Sequence, residues 1–114
     1  MPRDESFLLY MLIAARRIVA STSDVTLEEF SANREKQDSV ILQIGNIGEA
    51  AKKISADFAE LHPEIQWRDI SGMRNRLIHG YHKIDIREVW KAARTSVPEL
   101  IRLIEPLVPP EEEV

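Results

Sequence analysis

The residues best suited to chemistry lie together in the octapeptide RNRLIHGY, from Arg74 to Tyr81. Arg74 carries a permanent positive charge, and its planar guanidinium matches two oxygens of a phosphate. His79 titrates near neutral pH, and Asn75 offers an uncharged amide that can position a substrate. The octapeptide contains no serine or cysteine and no pair of carboxylates. We therefore interpret it as the working site, for a reaction that needs proton transfer and stabilisation of negative charge.

Cleavage of an RNA phosphodiester bond fits these side chains, because the 2′-hydroxyl of the RNA itself supplies the nucleophile. His79 would act as general base or acid, an effect on the order of 10² to 10⁴ in rate. Arg74 would stabilise the additional negative charge of the phosphorane. His79 and His82 are three residues apart, but no carboxylate completes a metal site with them, so we predict no metal and no cofactor. Spacing alone leaves another interpretation open, in which Arg74 is solvated and His79 caps a helix.

The proposed chemistry requires a helix that ends close to His79. Asn75 and His79 are four residues apart and share one helical face, whereas Arg74 lies about 140° from His79 around the helix. Gly80 is typical of the residue that ends a helix, so the long Arg74 side chain would reach the imidazole. One histidine cannot easily serve as base and acid at the same time. A two-fold dimer would bring a second Arg74 and a second His79 to a shared cleft.

Composition limits the class of protein. The 114 residues suit one domain, and the absence of cysteine excludes disulfides, thiolate metal sites and thiol catalysis. The apolar run from Phe7 to Ala15 has nine residues, about half a membrane span. Asp4 and Glu5 precede this run, which is unlike a secretory signal. We therefore predict a cytoplasmic protein.

Charge is distributed unevenly along the chain. The net charge is −4, which argues against a protein that coats nucleic acid by bulk electrostatics. Residues 67–87, however, contain five arginines and lysines against two aspartates. A locally basic site on an acidic chain is therefore plausible, and the candidates for additional RNA contacts are Arg76, His82 and Lys83.

The apolar residues repeat with a helical period almost throughout the chain. We predict a short helical turn after the capping box at Thr26 and longer helices over residues 4–20, 33–54, 67–80, 85–97 and 98–107. Asp4 and Asp85 would be N-caps. Pro98 would interrupt the last region, where Ser96 would begin a new capping box.

These elements predict an all-α protein, an up-and-down bundle of four to five helices. Gly45 and Gly48 indicate close approach of another backbone, since each costs about 1 kcal/mol relative to alanine in a helix. The apolar stripes of the first two long helices favour a homodimer that would cover them. We predict one domain over residues 1–108 and a flexible acidic tail over 109–114.

At these residues the chain resembles the HEPN superfamily, and within it the HepT-like toxins encoded beside a minimal nucleotidyltransferase (MNT) antitoxin. The motif of that family is an arginine, four to six residues, a histidine, one residue and a tyrosine, which matches Arg74, His79 and Tyr81. Three further segments extend the resemblance over nearly the whole chain: IGNIGEAAKKIS, HPEIQWRDISGMRNRLIHGYHKID and EVW.

The resemblance implies an all-α homodimer whose two motifs face one cleft, and a metal-independent endoribonuclease that inhibits growth by cutting RNA, in some members tRNA. It implies that Arg74 and His79 are catalytic and that Asn75 supports them. It further implies neutralisation by the MNT antitoxin, which adds AMP to Tyr81. An adenylyl group there would bring bulk and negative charge to the place where RNA phosphate must bind. Some HEPN proteins are instead non-catalytic subunits that bind a nucleotide or a nucleotidyltransferase, and this alternative stays open.

Overall fold

Helices account for most of the chain in a computed structural model, which describes residues 2–78 and 83–109. They are α1 (Pro2–Thr22), α2 (Leu27–Ser31), α3 (Arg34–Lys52), α4 (Ala56–Leu61), α5 (Trp67–Leu77), α6 (Ile86–Lys91) and α7 (Val97–Ile104). A π-helical turn (Ala92–Ser96) joins α6 to α7, and a 3-10 turn (Glu105–Leu107) follows α7. Within these ranges the only extended pairing is one isolated bridge between Ile78 and Ile84. The predicted all-α class is confirmed.

Four long helical segments form the bundle, namely α1, α3, α5 and the continuous segment from α6 through α7. The first of these, α1, packs against α3 and α7, and α3 packs in turn against α5. The short α2 contacts α3 and α6. This arrangement agrees with the predicted helical bundle and makes α3 the element that separates α1 from α5.

The apolar stripe of α1 is covered within the chain. Six of its side chains are buried, and they belong to the same core cluster as α3 and α7: Leu8, Met11, Leu12, Ala14, Ala15 and Ile18. Among the described residues, the large apolar side chains that stay exposed are Tyr10, Leu42 and Leu61. The stripe of α1 therefore does not support the predicted homodimer. The homodimer stays a prediction.

Asp4 lies inside α1 instead of capping it, contrary to our prediction. The helix begins at Pro2, and Asp4 is only 3% exposed. Its carboxylate accepts hydrogen bonds from the Ser55 backbone N–H at 2.8 Å and from the Ser55 hydroxyl at 2.7 Å. Burial raises the pKa of Asp4, but these two hydrogen bonds outweigh burial and hold the pKa below its ordinary value. Asp4 thus ties α1 to Ser55, the residue that caps α4.

The predicted caps of α2 and α6 are confirmed. Thr26 forms a full capping box, in which its hydroxyl accepts the Glu29 N–H at 3.1 Å and the Glu29 carboxylate accepts the Thr26 N–H at 2.9 Å. Asp85 caps α6 by accepting the Glu88 N–H at 3.2 Å. The second long helix starts where it was expected, with Asn33 as N-cap, and ends slightly early, at Lys52.

The predicted interruption at Pro98 is wrong, because the helix continues through a π-helical turn. Ser96 has helical torsion angles (φ −64°, ψ −41°) and forms no side-chain cap. The Val97 N–H donates to the carbonyl of Ala92, five residues earlier, so the turn holds one extra residue. Pro98 then falls in the first turn of α7, where a missing N–H is tolerated.

Two further predictions concern the domain bounds with the acidic tail, and the absence of a membrane span. Residues 110–114, most of the predicted acidic tail, lie outside the described residues, so the tail and the single domain over 1–108 stay predictions. In the part of the chain that the structure describes, no helix is both long enough and apolar enough to cross a bilayer.

Candidate active site

The helices α3 and α5 approach each other closely at Gly48. A Cβ atom at that position would lie 3.1 Å from the carbonyl oxygen of Ser71 and 3.4 Å from that of Ile70. Both oxygens belong to the backbone of α5, which could yield only by moving the helix. The backbone approach predicted for Gly48 is confirmed, and it sets the distance between α3 and the helix that carries Arg74.

Gly45 faces a side chain instead of a backbone. A Cβ atom there would lie 3.1 Å from Cδ of Arg74 and 3.6 Å from its Nε. The prediction of backbone approach is therefore wrong at Gly45. The Arg74 side chain passes over α3 at a position that has no side chain of its own.

Arg74 and Asn75 line a groove of about 710 Å³ between α3 and α5. Ile78 and Ile84 also line it, beyond the end of α5. Arg74 and Asn75 are both exposed, and Arg74 forms no ion pair with any described residue. We call this the Arg74 groove; the residues that α3 contributes to it are Asp38, Ile41, Leu42, Gly45, Asn46 and Glu49. Its volume is typical of sites that hold a small ligand or a few groups of a larger one.

The helix α5 ends at Leu77, before the predicted stop near Gly80. Ile78 has extended torsion angles (φ −115°, ψ 111°) and pairs with Ile84 in the antiparallel bridge. The Asp85 N–H donates to the Leu77 carbonyl at 3.1 Å. These contacts bring Ile78 and Ile84 together beside the Arg74 groove. The condition set by the sequence, a helix that ends close to His79, is thereby met.

Several predicted site residues fall in the segment that the structure does not describe. His79, Tyr81 and His82 lie there, so their catalytic, modified and RNA-contacting roles stay predictions. Lys83 is described and exposed, and it precedes Ile84 of the groove wall. The structure thus brings Arg74 and Asn75 into one groove and places Lys83 next to a residue of that groove.

Comparison with known proteins decides the family. The family model described as "Ribonuclease HepT-like" matches residues 11–107. This chain belongs to the HepT-like ribonuclease family. One HepT-like relative, "Probable ribonuclease HepT" of Thermococcus cleftensis, is 42% identical over 79 residues, which cover 69% of this chain and 72% of the relative. Another relative, "Putative RNase MJ0125" of Methanocaldococcus jannaschii, is 36% identical over 109 residues, which cover 96% of this chain and 94% of that protein. No solved structure matches the chain.

Arg76 of this HepT-like chain lines a different groove, between α5 and α7. The groove has a volume of about 320 Å³. We call it the Arg76 groove, and its charged lining residues are Glu64, Asp69, Arg76 and Glu99. The structure therefore does not bring Arg76 together with Arg74 and Asn75, although the three residues are consecutive in the sequence.

The carboxylates of the Arg74 groove are both paired with a basic side chain of α3. Asp38 Oδ1 lies 3.3 Å from Arg34 Nε, and Glu49 Oε1 lies 3.6 Å from Lys52 Nζ. All four side chains are exposed, so the pairs add little stability. Neither carboxylate forms an ion pair with Arg74.

The acids of the Arg76 groove are less fully paired. Glu99 accepts a hydrogen bond from Arg102 Nε at 2.9 Å, and this bond holds the pKa of the Glu99 carboxyl below its ordinary value. Glu64 lies 3.2 Å from the imidazole nitrogen Nδ1 of His62, which is charged only when protonated. Asp69 forms no ion pair with any described residue. The positive charge of Arg76 is thus opposed by nearby acids.

The α3 side of the Arg74 groove was missed by the sequence analysis. Most of its lining residues share one helical face with Gly45, at three, four or seven positions from it: Asp38, Ile41, Leu42 and Glu49. This spacing is visible in the sequence. It would have identified the wall of the groove if Gly45 had been assigned to Arg74 instead of to a backbone contact.

Proposed function

We propose that this HepT-like chain is a metal-independent endoribonuclease in which Arg74 and His79 cleave RNA and Asn75 supports them. The supporting observation is the state of Arg74. Some exposed arginines of the chain are held by carboxylates, as in the pairs Arg16–Glu105 and Arg34–Asp38. Arg74 instead lines an open groove without a carboxylate partner among the described residues, five positions before His79 in the sequence. A phosphate oxygen is the partner that a guanidinium in this situation would bind.

The reaction is a transesterification within the RNA. A base removes the proton of a 2′-hydroxyl, whose oxygen attacks the adjacent phosphorus and forms a phosphorane. The bond to the 5′-oxygen then breaks, and an acid protonates that oxygen. The products are a 2′,3′-cyclic phosphate and a 5′-hydroxyl. Arg74 stabilises the phosphorane, and His79 transfers protons. The negative end of the α5 helix dipole favours the imidazolium form of a nearby histidine.

A homodimer would supply the second histidine that this scheme requires. Leu42 is 61% exposed and lies in the Arg74 groove, on the α3 face that also holds Ile41. Covering exposed leucine against a second copy of the same face is the ordinary use of a two-fold interface. In such a dimer the two Arg74 grooves would form one cleft with two copies of the motif.

The same site would be switched off by modification of Tyr81. As part of a toxin–antitoxin module, the chain would be AMPylated on Tyr81 by an MNT nucleotidyltransferase and lose access to RNA, of which tRNA is one candidate. His82 and Lys83 would contact the RNA backbone beside the cleavage site. Arg76 is a weaker candidate for such a contact, because the acids of its groove repel phosphate.

Cleavage of RNA in the presence of EDTA tests the nuclease proposal. The purified, unmodified chain should cut RNA and leave 2′,3′-cyclic phosphate ends. The Arg74→Ala and His79→Ala variants should lose this activity. Arg102→Ala is a matched control, because Arg102 is an exposed arginine already held by Glu99. If the unmodified dimer cuts no RNA, the chain is instead a non-catalytic subunit that binds a nucleotide or a nucleotidyltransferase.

Intact mass tests the modification separately. Coexpression with an MNT nucleotidyltransferase should add one or more AMP groups to the peptide that contains Tyr81 and abolish RNA cleavage. The Tyr81→Phe variant should stay unmodified and active. A Tyr81→Phe chain that is still silenced by AMPylation would contradict the assignment of Tyr81.

A further inference from the structure

Three glycines lie inside described helices, and each would react differently to an added methyl group. At Gly48 the methyl would meet the backbone of α5 at 3.1 Å. At Gly72 it would meet only Nη1 of Arg76, at 3.5 Å, which is ordinary contact. At Gly45 it would meet two atoms of one side chain, Cδ of Arg74 at 3.1 Å and Nε at 3.6 Å. Gly48 is thus explained by helix packing, whereas Gly45 is not.

We propose that Gly45 is a positioning residue for Arg74, a role that deepens the proposed nuclease function and rests on it. Glycine in a helix interior is unfavourable relative to alanine. Gly45 lies well inside α3, and its backbone does not adopt a conformation that requires glycine. Among the described residues, the atoms that exclude a Cβ there belong to Arg74 alone. The missing side chain therefore serves Arg74 and not the fold.

The contact involves the atoms of Arg74 that determine the position of its guanidinium group. Cδ and Nε are the last atoms before the guanidinium carbon, so any displacement of them moves the guanidinium as well. A Cβ at 3.1 Å would have to push Cδ by a few tenths of an ångström to reach normal contact. Because Arg74 is exposed, it can yield without disturbing the core. A misplacement of about 1 Å at a reacting group can cost about 100-fold in rate, so a smaller displacement should cost roughly five- to tenfold.

Stability and activity should therefore change in opposite directions in Gly45→Ala. Alanine raises the helix propensity of α3, and the exposed arginine absorbs the steric conflict. We expect the melting temperature to rise by about 2–6 °C. We expect kcat for RNA cleavage to fall about five- to tenfold, with little change in KM, since the affected charge acts on the phosphorane. A glycine needed for folding would show the reverse, a lower melting temperature with kcat unchanged for the folded fraction.

The matched control is Gly72→Ala, at a helical glycine where an added methyl meets Arg76 of α5 without conflict. It should also raise the melting temperature, and it should leave kcat within about twofold of the original chain. The double variant Gly45→Ala/Arg74→Ala, measured under single-turnover conditions, should be within about twofold of Arg74→Ala alone. Non-additivity of this kind shows that Gly45 acts through Arg74.

A spectroscopic readout separates this inference from the nuclease proposal. The Nε–Hε resonance of Arg74, assigned by its loss in Arg74→Ala, should shift in Gly45→Ala and stay in place in Gly72→Ala. If the original chain cuts no RNA, the nuclease proposal fails while the resonance still tests the positioning. The inference is overturned if Gly45→Ala leaves both kcat and the resonance unchanged, or if it lowers the melting temperature.

Discussion

The two grooves beside α5 surround nearly adjacent arginines with different sets of charged side chains. Arg74 lies over a glycine of α3, in a groove whose two carboxylates are each paired with another basic side chain. Arg76 lies toward α7, in a groove with Glu64, Asp69 and Glu99. Local positive charge in the sequence therefore does not by itself define a phosphate site. The neighbours that the fold supplies decide which of the two charges is available to an anion.

The largest expected effect is the difference between removing the two arginines. Arg74→Ala should lower kcat for RNA cleavage by about 10²- to 10³-fold, because it removes a preorganised cation from the phosphorane. Arg76→Ala should change kcat by less than about threefold. Steady-state cleavage of one oligoribonucleotide by both variants gives the ratio. Similar losses in the two variants would mean that the grooves are not functionally distinct.

A mutation of the scaffold should lower stability and leave both grooves unchanged. Asp4→Ala removes a buried carboxylate that accepts two hydrogen bonds from Ser55, and it should lower the free energy of unfolding by about 2 kcal/mol at pH 7. The kcat of the folded protein should not change. Urea denaturation of both proteins measures the loss.

The pH dependence of that loss follows from the lowered pKa of Asp4. A carboxyl whose pKa is lower in the folded state than in the unfolded chain stabilises the fold at pH values above the unfolded value, about 3.8. This contribution disappears as pH falls through the folded pKa. The difference between the original chain and Asp4→Ala should therefore be full at pH 7 and shrink below pH 3.8. A difference that is constant from pH 7 to pH 3 would show that the charge of Asp4 contributes nothing.

Gly48→Ala should disturb the packing of α3 on α5 that forms the Arg74 groove. The added methyl would meet the Ser71 and Ile70 carbonyl oxygens, so α5 must shift away from α3. Overpacking of this kind costs about 1–3 kcal/mol, and the gain in helix propensity offsets about 1 kcal/mol of it. We expect a net loss of about 1 kcal/mol, seen as a lower melting temperature, together with a lower kcat. Gly72→Ala, which creates no such conflict, is the control, and an equally stable Gly48→Ala would contradict the close packing of α3 on α5.

The smallest expected effect is electrostatic. Glu49→Gln removes one negative charge from the Arg74 groove and frees Lys52, so KM for RNA should fall about twofold at low salt, in line with exposed ion pairs of about 0.5 kcal/mol. Glu64→Gln, in the Arg76 groove, should leave KM unchanged. Both values should converge with that of the original chain at high salt. A larger response to Glu64→Gln would place the RNA on the other side of α5.

The sequence predicted the helical bundle better than it predicted the surroundings of Arg74. Periodicity identified α3 and α5, and Gly48 correctly indicated the close approach of another backbone. Gly45 was misassigned, because its function depends on the rotation of α3 relative to α5, which local spacing does not determine. Arg76 was assigned to the same site as Arg74, as a candidate RNA contact, for the same reason.

Long-range and backbone effects account for the other errors. Aspartate is a residue type preferred at N-caps, but the partner of Asp4, Ser55, lies 51 residues away and is brought to it only by the fold. Ser96 and Pro98 have the pattern of a helix start, but the π-helical turn before them accommodates the proline without a break. In both places a tertiary or backbone arrangement outweighed a correct local preference.

Cleavage of a matched pair of oligonucleotides by the metal-free chain tests the proposed mechanism directly. The proposed mechanism uses the 2′-hydroxyl of the RNA as nucleophile, with Arg74 stabilising the phosphorane. An oligoribonucleotide should therefore be cut in EDTA to give a 2′,3′-cyclic phosphate, and the same sequence with 2′-O-methyl groups should stay intact. Cleavage of the methylated oligonucleotide, or activity that appears only with added metal, would contradict this account.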